Sequence, residues 1–87
     1  MPTIAIVNGI AIVIYFDDHD PAHYYAFGAD FHPRIVIADS SVLSVEGRIK
    51  PSDIRMLKDW TTRHRTELQE NWRRAFRRAP LAKFEGR

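Results

Sequence analysis

Three histidines lie close together in the N-terminal half of the chain, beside two aspartates. These residues are Asp17, Asp18, His19, His23 and His32. Histidine titrates near neutral pH and serves as an acid, a base or a metal ligand, so the cluster is a candidate for chemistry. The spacing of His19 and His23 would align them on a helix, but Pro21 between them disfavours a helix. We therefore expect solvated or backbone-bonded histidines, with no metal and no cofactor; a metal site is the alternative.

Two polar residues, His64 and Asn71, fall within the apolar stripe of the C-terminal helical segment. Buried polar groups require hydrogen-bond partners. One interpretation is that these residues tie the helix to the sheet backbone or to the loop carrying His19 and His23. The other is that His64 faces a cleft with His23 and Tyr25 and forms an acid–base site.

The end of the helical segment carries a cluster of arginines interleaved with the aromatic residues Trp72 and Phe76. The arginines are Arg63, Arg65, Arg73, Arg74, Arg77 and Arg78. Arginine binds phosphate in a bidentate manner and aromatic rings stack on bases, so this surface suits RNA or DNA. Two alternatives are that the cations offset the helix dipole at its C-terminus, and that they bind an acidic partner segment.

The net charge of +2 hides an uneven distribution along the 87 residues. Residues 1–47 carry one cation and six anions, a net charge of −5, whereas residues 48–87 carry twelve cations and five anions, a net charge of +7. Such asymmetry indicates nucleic acid or an oppositely charged partner. The absence of cysteine excludes disulfides and thiolate metal sites. No Gly-rich phosphate loop, nucleophile elbow or zinc-ligand spacing occurs.

The length is typical of one domain, and we expect residues 1–87 to form it. No segment reaches the ~18 apolar residues of a membrane span, and the N-terminus lacks the basic region of a signal peptide. We expect a cytoplasmic protein that makes no membrane contact.

The N-terminal half predicts an antiparallel sheet that begins with a hairpin. The predicted strands are residues 3–7, 10–16, 23–27, 31–38 and 42–46. Asn8-Gly9 favours a two-residue turn that pairs Val7 with Ile10 and sets the register of the hairpin. Both faces of this hairpin are apolar, so each needs a cover. A homodimer or another bound partner would cover the second face, and curling of the sheet is the alternative.

Residues 52–79 predict a long amphipathic helix, because apolar side chains recur on one face at the helical period. Pro51 suits the first turn, and Pro80 ends the pattern. Such a helix would run about 42 Å. Two nearly coaxial helices with a break in residues 61–65 are therefore the alternative.

The predicted fold class is α+β, an antiparallel meander of four or five strands followed by one long or kinked helix that packs on one sheet face. The chain divides into a sheet region, a helical region, and a short edge strand with the tail, at residues 1–47, 51–79 and 80–87.

Two segments resemble the signatures of a family of short bacterial proteins of unknown function. YFDDHDPAHYY resembles that family's Y-F-x-D-H-x-P-P-H-F-H, and WTTRHRTELQENW resembles its W-x-x-x-H-x-x-E-L-x-x-N-W. The resemblance covers nearly the whole chain. It singles out Tyr15, Phe16, Asp18, His19, Pro21, His23, Trp60, His64, Glu67, Leu68, Asn71, Trp72 and Pro80. Ala22 stands where the family has its second proline and Tyr25 where it has its final histidine, although a tyrosine can still donate a hydrogen bond.

Members of that family are commonly encoded beside a second small domain, in pairs regarded as toxin–antitoxin modules. The resemblance implies a toxin-like component acting on a macromolecular target, with RNA as the candidate and a small protein from an adjacent gene as partner. If it cleaves RNA, His19 and His23 are the acid–base candidates, supported by Tyr25 and His64, while arginines hold phosphate.

Two non-enzymatic functions compete with this one. The first is an antitoxin or repressor subunit that binds a protein through its sheet and nucleic acid through its arginine-rich helix. The second is a structural homodimer whose polar residues only satisfy one another.

Overall fold

The fold was analysed in a computed structural model, which describes residues 3–15, 21–77 and 79–84. The strands are β1 (Thr3–Val7), β2 (Ile10–Val13), β3 (His23–Phe27), β4 (Arg34–Val36) and β5 (Val42–Ser44). The helices are α1 (Pro51–Arg63) and α2 (Arg65–Phe76). All neighbouring strands are antiparallel and follow one another in chain order across a single sheet. The predicted α+β meander is therefore confirmed, with five strands.

The first hairpin turns at Asn8-Gly9, where φ is 48° and 78°. Positive φ at both central positions is the requirement of a type I′ turn, which Asn and Gly tolerate. Val7 pairs with Ile10, as predicted, and the register continues to Ala5 opposite Ile12. The turn chemistry alone was sufficient to fix this register.

A bulge at Ile4 interrupts the hairpin before its open end. The register shifts between Thr3 and Ala5, so that Thr3 lies opposite Val13. An extra residue in one strand removes the strict alternation of faces. Ile4 and Ala5 are consequently both buried, at 1% and 5% exposure.

Three strands are shorter than predicted. β2 ends at Val13 rather than at residue 16. Ile14 and Tyr15 are not part of the strand, and residue 16 lies outside the described residues. β4 begins only after Pro33, which has no N–H for the ladder, and it ends where a turn leads to Ser40 at a φ of 62°. β5 ends at Ser44 rather than at residue 46. Phe31 keeps only an isolated bridge to Gly47.

The helical segment is broken at His64, so the single long helix was the wrong alternative and the break in residues 61–65 the right one. α1 begins at Pro51, as predicted, and α2 ends at Phe76, three residues before the predicted end. His64 has φ −118° and ψ 20° and serves as the C-cap of α1 and the N-cap of α2. Neither helix has the length and the apolar content that would let it cross a bilayer, within the residues that the structure describes.

The helices cover one face of the sheet. Tyr24 packs edge-on against Trp60, with ring centroids 5.8 Å apart, and both are fully buried. Leu57 and Leu68 complete this side of the core, beneath the buried Ile35 of β4. The opposite face is covered unevenly. Within the first hairpin, Val13 is fully buried there whereas Ile6 is 62% exposed.

The C-terminal segment, defined here as residues 79–84, does not form the predicted edge strand. Among the described residues, one backbone hydrogen bond links it to the sheet: the Phe84 N–H donates to the Ile4 carbonyl at 2.9 Å. The Phe84 ring stacks on Trp60 at 5.7 Å. The segment thus packs beside β1 without extending the sheet as a regular strand.

Candidate functional site

His23, the first residue of β3, is buried, with only 2% exposure. Its Nδ1 lies 2.7 Å from the Pro21 carbonyl oxygen, which can only accept, so Nδ1–H is the donor. The ring packs against Tyr25 and Trp72, at centroid distances of 5.6 and 5.4 Å. These contacts fix the orientation of the imidazole and leave it little access to solvent.

Tyr25 lies beside His23 because alternate residues of a strand share one face. Its ring meets Tyr15 edge-on at 4.9 Å and stacks on Phe27 at 5.9 Å. The Arg34 guanidinium lies 5.9 Å from the Tyr25 ring centroid and donates through Nε to Ser44. Two of the four predicted catalytic residues are thus brought together on one face of β3.

His64 lies in different surroundings, at the junction of the two helices. Its Nδ1 is 2.6 Å from a Glu67 carboxylate oxygen, and its ring packs on Trp60 and Phe84 at 5.1 and 5.4 Å. Its side chain is 19% exposed. Among the described residues, the rings that pack on His64 (Trp60 and Phe84) differ from those that pack on His23 (Tyr25 and Trp72). His19 lies outside the described residues.

Asn71 ties α2 to the C-terminal segment rather than to the sheet or to the histidine loop, which corrects both predicted anchors. Its Nδ2 donates to the Ala82 carbonyl at 2.9 Å, and its Oδ1 accepts from the Ala82 N–H at 2.7 Å. Both polar groups of this buried amide are used. Its position in the apolar stripe is therefore explained by structure alone.

The predicted phosphate-binding arginines that the structure describes lie in three different settings. Arg65 is structural, because its Nε donates to the Ile37 carbonyl at 2.8 Å and its Nη2 to Ser40 at 2.9 Å. Arg63 lies apart on α1, 3.5 Å from Asp59. The remaining described arginines, Arg73, Arg74 and Arg77, lie together at the end of α2. Arg78 lies outside the described residues.

The end of α2 presents a shallow, open pocket of about 330 Å³, lined by Trp72, Arg73, Phe76 and Arg77. We call these four residues the α2 surface. Phe76, in the last turn of α2, is 70% exposed. The α2 surface therefore presents an exposed aromatic ring flanked by the guanidinium groups of Arg73 and Arg77.

Glu70 partly neutralises this end of the helix. Its carboxylate accepts hydrogen bonds from Arg73 at 2.8 Å and from Arg74 at 3.4 Å. The Arg73 hydrogen bond is the main cause that lowers the pKa of Glu70, so the carboxylate stays charged at neutral pH. The Arg77 guanidinium has no ion pair or hydrogen bond within the described part of the chain.

Residues 9–73 match a family described as a domain of unknown function, DUF4160. The chain belongs to this family. The match confirms the resemblance at the level of a family of unknown function, while the individual signatures and the paired genes stay predictions. No curated protein and no solved structure gives a significant match. The DUF4160 match includes His23, Tyr25 and His64, and it ends before Phe76 and Arg77.

Within the part of the chain that the structure describes, no group of three or more histidine, cysteine, aspartate or glutamate residues is placed to hold a metal ion.

Proposed function

We propose that this chain is a non-enzymatic component of a bacterial two-gene module of toxin–antitoxin type, and that it binds single-stranded nucleic acid through the α2 surface. The observation that carries the proposal is the 70% exposure of Phe76 between Arg73 and Arg77. The second member of the module, a small protein from an adjacent gene, is the proposed protein partner.

The chemistry of the α2 surface favours nucleic acid over an acidic peptide. Exposed rings stack on bases with a free energy of about 1–3 kcal/mol per base, and arginine binds the backbone phosphates. The carboxylates of an acidic peptide would pair with the guanidinium groups but would offer Phe76 no ring to stack on. The positive charge of residues 48–87 supports an anionic ligand as well.

RNA cleavage by a toxin-like component is the competing function, and the contact between His23 and Tyr25 favours it. A general base must come within hydrogen-bond distance of the proton that it removes. His23 is 98% buried and its Nδ1 is bonded to Pro21. This burial supports binding rather than cleavage as the function.

A binding assay with labelled oligonucleotides tests the proposal. We expect Phe76→Ala and Arg77→Ala each to weaken binding to single-stranded RNA about tenfold, measured by fluorescence anisotropy. Glu70→Gln should strengthen binding, because it releases Arg73 and Arg74. Parallel assays with single-stranded DNA and with duplex RNA show whether the α2 surface prefers RNA to DNA and a single strand to a duplex.

The matched control is Arg63→Ala, which removes another exposed arginine away from the α2 surface. Its affinity should equal that of the wild type. Wild-type affinity should also fall steeply with added salt, because phosphate contacts release counterions. Unchanged binding by the Phe76 and Arg77 variants, or affinity that ignores salt, would refute the proposal.

The same assay separates binding from cleavage. If the wild-type chain shortens the RNA and His23→Gln does not, cleavage replaces binding as the function.

Expression with and without the adjacent gene then tests the module itself. Growth arrest that the neighbour relieves would identify a toxin, whereas relief of the neighbour's toxicity would identify an antitoxin; no effect in either direction would refute the module.

A further inference from the structure

β1 lies at one edge of the sheet and lacks the usual protection of an edge strand. Natural edge strands are blocked by charged side chains, by proline or by a covering segment, because unpaired backbone groups bind other strands. Residues 3–13 carry no charged side chain and no proline. The bulge at Ile4 and the C-terminal segment protect the beginning of β1, and none of the other described residues covers the rest of the edge.

The uncovered part of the edge is centred on Ile6. In an antiparallel hairpin with a two-residue turn, Val7 and Ala5 direct their backbone groups towards β2, so Ile4 and Ile6 direct theirs outward. The Ile4 carbonyl accepts from the Phe84 N–H. The Ile6 N–H and C=O have no such partner within the described residues, and the Ile6 side chain is 62% exposed.

An open groove of about 540 Å³ lies beside this edge. Its lining consists of Thr3, Ile4, Ala5, Ile6, Lys83 and Phe84. Asn8 and Gly9, at the tip of the adjacent turn, are both exposed. The same edge therefore presents a groove at one end and a protruding turn at the other.

We propose that two copies of this chain associate through β1, antiparallel and related by a two-fold axis at Ile6. The Ile6 N–H and C=O of each copy bond to Ile6 of the other, which joins the two five-stranded sheets edge to edge. This register sets Val7 of one copy opposite Ala5 of the other, and pairing stops there because the Ile4 carbonyl already accepts from the Phe84 N–H. The turn of each copy is thereby brought to the groove of its mate.

The short uncovered edge selects a second copy over a longer partner strand. The bond from Phe84 to Ile4 blocks further pairing in one direction and the turn blocks it in the other. A two-fold contact needs only one outward-facing residue per copy. The contact between the turn of one copy and the groove of the other then occurs twice in the dimer. Residues 3–13 carry no charged side chain and so add no like-charge repulsion across the axis.

The oligomeric state tests this proposal, independently of nucleic-acid binding. We expect the wild-type chain to have twice the monomer mass of 10.1 kDa in light scattering, and Ile6→Lys to have the monomer mass. The exposed position of Ile6 allows the lysine without loss of the fold, which circular dichroism checks. Leu43→Lys is the matched control, because Leu43 is a 42% exposed residue on the other edge strand, and this variant should stay dimeric.

A cysteine variant tests the register itself. A hydrogen-bonded antiparallel pair has its Cα atoms about 5.5 Å apart, which is within the range of a disulfide. The chain contains no cysteine, so oxidised Ile6→Cys should form a covalent dimer, whereas Leu43→Cys should not. The proposal is overturned by a monomeric wild type, by a dimer that survives Ile6→Lys, or by equal cross-linking of both variants. It is also overturned if the wild type is monomeric and Ile6→Lys instead abolishes binding of the adjacent gene product.

Discussion

At the residue scale, the hydroxyl groups of Tyr24 and Thr61 form a buried hydrogen bond of 2.7 Å between β3 and α1. Thr61 Oγ1 also donates its only proton to the Leu57 carbonyl at 2.7 Å. The Tyr24 hydroxyl must therefore be the donor to Thr61. The sequence did not predict this pair, because neither residue type indicates its partner and the contact joins positions 37 residues apart.

This donor assignment predicts unequal effects of removing the two hydroxyl groups. Tyr24→Phe leaves Thr61 bonded to Leu57 and should lower the free energy of unfolding by about 1 kcal/mol. Thr61→Val leaves the buried Tyr24 hydroxyl without an acceptor and should lower it by about 2–3 kcal/mol. Urea denaturation measures both. Thr62→Val is the control, because Thr62 bonds to Lys58 in the same way but is exposed; equal losses at positions 24 and 61 would contradict the assignment.

The same pair gives a pH dependence. Burial raises the pKa of Tyr24 above its ordinary value of 10.0, and the Thr61 hydrogen bond opposes this by less. The unfolded chain therefore loses the Tyr24 proton at a lower pH than the folded chain does. The free energy of unfolding must fall as pH rises past about 10. In Tyr24→Phe this contribution is absent, so the stability difference between the two proteins should narrow in alkali; a constant difference would contradict the cause given for the shift.

At the scale of elements, local chemistry predicted some boundaries and tertiary packing set the others. Asn8-Gly9 determined the hairpin register and Pro51 the start of α1, because each residue type restricts its own backbone. No glycine or proline marks the break at His64, which lies where its ring packs on Trp60 and Phe84. The bulge at Ile4 likewise has no local sequence signal. Such features depend on neighbours that are distant in sequence.

Asn71 is expected to control how firmly the C-terminal segment is held. Asn71→Ala removes both of its bonds to Ala82 and should lower the free energy of unfolding by about 2 kcal/mol. It should also speed hydrogen exchange of the Phe84 N–H, which bonds to Ile4. Gln69→Ala, at an exposed position of the same helix, should change neither. Lost stability with unchanged exchange at Phe84 would show that Asn71 does not anchor this segment.

At the scale of the whole molecule, the charge asymmetry of the sequence indicates which half of the chain is cationic, but it does not indicate which arginines are available to a ligand. It identified the helical half as the cationic one, and the α2 surface lies there. It could not separate Arg65, which bonds to the β4–β5 turn, from Arg77, which has no such partner among the described residues. The type and spacing of the residues are the same in both cases. Only the folded neighbours decide which guanidinium group is available to a ligand.

The two proposals together predict bivalent binding of RNA. A dimer formed through Ile6 carries two α2 surfaces, and a strand long enough to reach both gains affinity from the second contact without any new chemistry. Ile6→Lys should therefore weaken binding to a long single-stranded RNA by at least about tenfold, while binding to an oligonucleotide that fills one surface stays unchanged. Anisotropy with the two RNA lengths measures the difference, and Leu43→Lys should behave as the wild type with both. Equal weakening at both lengths would mean that Ile6 affects each binding surface directly, and an unchanged affinity for the long strand would exclude simultaneous engagement of both surfaces.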